Sequence, residues 1–222
     1  MVKGKVAAIS LSVVSIALLS FSLVGMHNNF KGYDTAAKEA KISQNKADKA
    51  KADYMAKDQK VNNQAMRNAL DSNDPILKSV ATQNMNYTRV TNISNDFFKT
   101  YYAFSDTKSY LARKDKLSNL ITPELANNKA IFDDGKDSTG GDYIKALGLQ
   151  SELVKTSAYM TQSKDNRAQA LVKVVNRAWH KGQKENAALA THYYDLTLDT
   201  KSNKITSLKQ VLYQKGANIN EE

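Results

Sequence analysis

The side chains best suited to chemistry are few and scattered. The 222-residue chain has no cysteine and only three histidines, His27, His180 and His192. A nucleophilic site needs Ser or Cys beside a base, and zinc needs at least a third protein ligand beyond a histidine pair. His180 sits beside Trp179 near a strand end, and His192 shares its strand phase with Tyr194 and Leu196. Nothing places a third ligand near them, so both read as structural or surface histidines. Proton abstraction of the isomerase kind needs a carboxylate base and an oxyanion donor in an apolar pocket. Tyr193, Tyr194 and Asp195 are consecutive. In a strand, Tyr194 and Asp195 face opposite sides, and only Tyr193 shares a face with Asp195. Residues 133–142 hold Asp133, Asp134, Asp137 and Asp142 among three glycines. Their order lacks the acid spacing and closing Glu of an EF-hand, and a solvated loop is expected. No GxxxxGK[ST] phosphate loop is present. The expectation is a chain without catalytic residues, metal or cofactor.

The elements that would position any site begin with an apolar run. Val6 to Met26 reads VAAISLSVVSIALLSFSLVGM, 21 residues without a charge. At about 1.5 Å per residue this length just spans a hydrocarbon core of roughly 30 Å. It is longer than the apolar region of a cleaved signal peptide, and an uncleaved transmembrane helix at 6–26 is expected. Lys3 and Lys5 precede it, while Lys31, Lys38 and Lys41 follow. The immediate charges of the short tail favour a cytoplasmic N-terminus and an extracellular body at the cell membrane. Ala8, Ser12, Ser15 and Ser22 share one helix face, a pattern of small residues that allows close self-association.

The net charge of +10 divides as +2 before the apolar run, +4 over residues 27–92 and +4 over 93–222. A nucleic-acid protein concentrates Lys and Arg on one face. Here Lys alternates with Asp and Asn, which speaks against direct DNA binding and for a solvated surface near anionic lipid.

Residues 33–70 lack Pro and are rich in Ala, Lys, Asp, Asn and Gln, a helix-forming composition. Tyr33, Ala40, Ala47, Tyr54 and Val61 repeat every seven residues, but the second seam of a coiled coil is poor. A helical or partly disordered stalk over 27–74 is expected. Asn73-Asp74-Pro75 ends it, with Asp74 as cap and Pro75 in the first turn of a new helix. Ile93, Phe97, Tyr101 and Phe104 mark one helix face, widened by Phe98 and Tyr102. Thr122-Pro123-Glu124 is a second helix start. The period then changes to two. Strands are expected at 151–162, 168–179, 188–198 and 205–213, with 199–204 as a polar hairpin turn. Val154, Thr156, Ala158 and Met160 should share one face of the first strand. Helices followed by an antiparallel sheet make an α+β body over 75–215, with a flexible tail at 216–222.

This order of elements resembles the VirB-eight-like scaffold subunits of type IV secretion systems, above all the Gram-positive conjugation proteins such as PrgL. The resemblance is carried by Phe97-Phe98-Lys99-Thr100-Tyr101-Tyr102, by Tyr194-Asp195-Leu196-Thr197-Leu198 and by Lys204-Ile205-Thr206-Ser207-Leu208. It implies a soluble domain with the fold named after nuclear transport factor two, helices packed on a curved antiparallel sheet. It also implies a non-enzymatic role in assembling a conjugative channel, with itself, the membrane and other channel subunits as partners. A membrane-bound ligand-binding or enzymatic domain of the same fold, and a cell-wall or sporulation assembly protein, are the alternatives. Trp179 either anchors a partner or fills the open end of the cone. A deep apolar pocket would favour a ligand site, and a cone filled by Phe97, Tyr101 and Trp179 would favour a scaffold.

Overall fold

The computed structural model describes the backbone of residues 2–216 and the side chains of residues 35–216. The chain forms two compact units, Met1–Ala65 and Met66–Glu222. Helix α1, Val2–Leu70, is one unbroken run of 69 residues. No proline precedes Pro75, so nothing removes a backbone donor along it. The expected fold class, a transmembrane helix, a stalk and then a nuclear-transport-factor-two-like domain, is corrected here. Among the described residues no helix is long and apolar enough to cross a membrane. The run at 6–26 continues without a break into the Lys-, Asp- and Asn-rich segment. The side chains of 1–34, with the proposed face of Ala8, Ser12, Ser15 and Ser22, lie outside the described residues, as does the tail from 217.

The second unit is an α+β body, helices followed by a four-stranded antiparallel sheet. Helix α2, Pro75–Tyr101, starts as its sequence dictates: Asp74 Oδ1 accepts from the Ile76 and Leu77 amides at 2.8 and 3.3 Å. Four short helices follow: α3 (Thr107–Leu111), α4 (Arg113–Lys116), α5 (Pro123–Ala126) and α6 (Tyr143–Leu147). Asp106, Thr122 and Asp142 cap α3, α5 and α6. Gly148 ends α6 at φ 56°, a left-handed position that favours glycine.

Strands β1 (Leu149–Lys164), β2 (Arg167–His180), β3 (Ala188–Asp199) and β4 (Lys204–Lys215) pair in sequence order. Asp165 and Asn166 close β1–β2 with both φ positive, the two-residue turn whose twist suits a hairpin. The inner face carries Ala158, Ala168, Ala170, Val172, Val174, Tyr194, Leu196, Leu198, Ile205 and Leu208, packed against Val90, Phe97 and Phe98 of α2. Two details differ from the periodic expectation. Leu153 pairs with Asn176 and Lys155 with Val175, so Val154 is an inserted bulge residue. The bulge turns Leu153 to the core and leaves Val154 exposed. Helix α2 also stops at Tyr101, and Phe104 lies beyond it, bridging to Ser151.

Candidate functional site

Two clusters of aromatic and polar side chains form where α2 ends. The first joins α2 to the inner face of β3 and β4. Tyr102, just past the helix end, places its hydroxyl 2.7 Å from that of Tyr194. Tyr194 donates to Gln210 Oε1 at 3.3 Å, and His192 Nδ1 lies 3.2 Å from the same oxygen. With Gln210 Oε1 as the acceptor, Nδ1 of His192 carries the proton and Nε2 keeps its lone pair. The His192 ring lies 5.4 Å from Tyr102 and 5.0 Å from Tyr213. Burial pushes the Tyr102 and Tyr194 phenols well above their ordinary value, so both stay neutral hydrogen-bonding groups. Burial also pushes His192 below its ordinary value. Asp195 is exposed on the opposite face of β3. The arrangement provides a chain of hydrogen bonds on an aromatic floor, and its members hold α2 to the far edge of the sheet.

The second cluster centres on Arg113, which is 3% exposed. Its Nε donates to Tyr110 O at 2.7 Å and its Nη1 to Tyr101 O at 3.0 Å, capping two carbonyls where α2 and α3 end. The guanidinium carbon lies 3.5, 4.7 and 5.3 Å from the ring centres of Tyr110, Tyr101 and Phe104. Desolvated cation–π contacts of this kind are worth about 2 kcal/mol. The Tyr110 hydroxyl donates to Asp133 Oδ2 at 2.6 Å and lies 2.7 Å from the Tyr143 hydroxyl. Burial pushes Tyr110 up, and its bond to Asp133 adds to that. A cleft of 320 Å³ opens beside this cluster, lined by Tyr110, Arg113, Lys114, Lys129, Phe132 and Asp133 among others.

The acids of the glycine-rich loop are used in turns. Asp137 Oδ1 accepts from the Thr139 and Gly141 amides, and Asp142 Oδ2 accepts from Thr107 Oγ1 at 2.6 Å. Among the described residues no group of three His, Asp or Glu side chains could hold a metal ion. His180 is exposed, with Nδ1 2.6 Å from Leu147 O, and is not brought near His192. His27 lies outside the described side chains. Trp179 does not fill the interior. Its indole donates to Gln150 at 2.8 Å and the Lys184 ammonium lies 4.9 Å from its ring, at the end of the β2–β3 hairpin. Sequence reasoning missed Arg113. It stands between two helices of four and five residues, too short to show a period, and only the neighbouring Tyr110 hinted at an aromatic seat.

No protein-family model matches the chain, and no curated protein matches it. A solved structure is similar to part of it: TraH, a protein assigned to transfer on the Gram-positive conjugative plasmid pIP501. The likeness covers 61% of this chain and 96% of that one, at 18% identity and a TM-score of 0.41. At that degree the likeness carries no weight for fold or function.

Proposed function

We propose that the protein is a non-enzymatic structural subunit that helps assemble a conjugative type IV secretion channel, working at the cell membrane with its body outside. The observation that carries a scaffold over a ligand site is the filled interior. Phe97, Phe98, Leu196, Leu198 and Val172 are fully buried and packed together where a ligand-binding domain would hold its pocket. Conjugation itself rests on the sequence resemblance of the α2 aromatic run and the closing hairpin, and the transfer role in the name of the TraH structure agrees with it in kind. Its partners on this proposal are further copies of itself and other channel subunits.

Deletion of the gene is expected to abolish DNA transfer while growth stays normal, and the intact gene is expected to restore transfer. His192→Ala and Asp195→Asn are expected to leave transfer intact in a folded protein. Loss of transfer from either variant, with the fold unchanged by circular dichroism, would turn attention to a ligand or catalytic site on β3. Cell fractionation and protease added to protoplasts test the location; a protected body would reverse the orientation.

A further inference from the structure

The outer face of the sheet, away from the helices, is unevenly covered. Along β2 the residues that alternate with the buried Ala170, Val172 and Val174 are Leu171, Lys173, Val175 and Arg177, and these point outward. Leu171 is 37% exposed, as a valine or leucine on an open sheet face should be, but Val175 is 2% exposed. Its neighbour across the sheet, Thr191, is on the same outward face and is 3% exposed, while Asp195 four residues on is exposed. Flanking side chains do not explain the contrast, because Leu171 has a similar frame of strand neighbours. The 3₁₀ turn Lys184–Asn186 is engaged one level higher, where Lys184 binds Glu152 and sits over Trp179. On β1 the outward residues Lys155, Ser157 and Tyr159 are all engaged in interactions.

The chain leaves β4 at the matching level. Gln214 pairs with Thr191, and then Gly216, at φ 83°, forms a bridge of parallel sense with Ala190, its amide donating to Leu189 O at 2.9 Å. The backbone has therefore turned back toward β3, through a conformation that favours glycine. The next residues are Ala217-Asn218-Ile219-Asn220-Glu221-Glu222. Six extended residues reach about 20 Å. Crossing from β4 to β1 takes three strand spacings, about 14 Å. One apolar residue, Ile219, falls mid-segment, and two acids follow it. The face they would cross offers Val175 at its centre and Lys155 and Lys173 beyond.

We propose that residues 217–222 dock across the outer face of the sheet, with Ile219 over Val175 and Thr191 and the two glutamates toward Lys155 and Lys173. The segment then acts as a strap over the centre of the face that a second copy or another subunit would otherwise meet. This does not depend on the conjugative role and is tested on the purified full-length chain. Because the protein has no cysteine, an introduced pair reports without background. Thr191→Cys with Ile219→Cys is expected to form a disulfide within one chain under mild oxidation, and Thr197→Cys with Ile219→Cys is expected to form at most a tenth as much. A disulfide between two chains would assign the cover to a second copy and overturn the proposal, as would equal or absent cross-linking at both positions. If the double variant fails to fold, the Val175 methyl resonances decide. They are expected to shift in a chain truncated after Gly216 and to return toward their positions on addition of the peptide ANINEE. Unchanged resonances on truncation would overturn it.

Discussion

The two aromatic clusters at the end of α2 are a few residues apart in sequence and are held by different physics. Phe97 and Phe98 are fully buried, their rings edge to face at 5.0 Å, and they gain from excluding water from the inner sheet face. Tyr101, Tyr110 and Phe104 instead surround a cation, and Arg113 holds them through two carbonyls and three ring faces. The first cluster tolerates imprecision as long as volume is kept. The second needs every polar partner in place, because a buried donor or acceptor left unmade costs its full desolvation. The dry cluster supplies stability to the joint between helix and sheet, and the polar one fixes the path of the chain from α2 into α3 and α4.

That contrast can be broken at four points. Phe98→Ala is expected to have the largest effect, about 3–5 kcal/mol in urea unfolding, because it removes a ring packed against Phe97, Tyr102 and Tyr194 and leaves a cavity. Arg113→Ala is expected to cost about 3 kcal/mol, with Arg113→Lys recovering only a small part, since an ammonium cannot reproduce the fork that bonds two carbonyls. Equal stability of wild type and Arg113→Ala would show that the cation is ornamental. Tyr110→Phe deletes one hydroxyl and leaves Asp133 with one partner fewer, for about 1 kcal/mol in the same assay.

The smallest expected effect is on the pH profile. Folding lowers the affinity of His192 for a proton because burial favours its neutral form. Its contribution is therefore complete above the ordinary His value, about 6.5, and is lost as pH falls below it. A second loss comes at lower pH. The bonds that Asp106 receives from Ser109, Asp137 from Thr139 and Asp142 from Thr107 hold these carboxyls below their ordinary value. Their support is present above about pH 4 and lost as they protonate in the fold. A Tm series from pH 8 to pH 3 should fall in two stages, and His192→Gln should flatten the first without touching the second.

Sequence periodicity reached the dry cluster and stopped short of the polar one. Alternation located all four strands, because Ala170, Val172 and Val174 face a continuous core and their neighbours do not. The caps were legible too, since Asp74-Pro75 and Thr122-Pro123 act within one turn. The bulge at Val154 was not, because an inserted residue breaks the period without changing composition. Ile93 and Tyr101 are only half-buried while Phe98 and Tyr102 are buried. The stripe on α2 is thus rotated from the expected face by contacts with a sheet more than forty residues away. Trp179 was expected either at a partner surface or inside the cone, and size alone did not say that Gln150 and Lys184 would hold it at a hairpin end. The membrane-spanning helix rested on the length of an apolar run, and the backbone passes through that run and on to Leu70 as a single helix.

The pairing order β1-β2-β3-β4 is the order of synthesis. Each strand meets its neighbour as soon as it is made, so the sheet closes through local steps that are intrinsically fast. Helix α2 is in the opposite position. It is made first, yet Phe98 must wait for Val172 and Tyr194, on strands that begin at Arg167 and Ala188. At about 5–20 residues per second the ribosome leaves that apolar face without its partner for several seconds. A nascent chain in that interval presents an amphipathic helix to any chaperone, membrane surface or sister chain nearby, and variants that lengthen the α2–β1 connection should aggregate during expression before they lose stability as purified proteins.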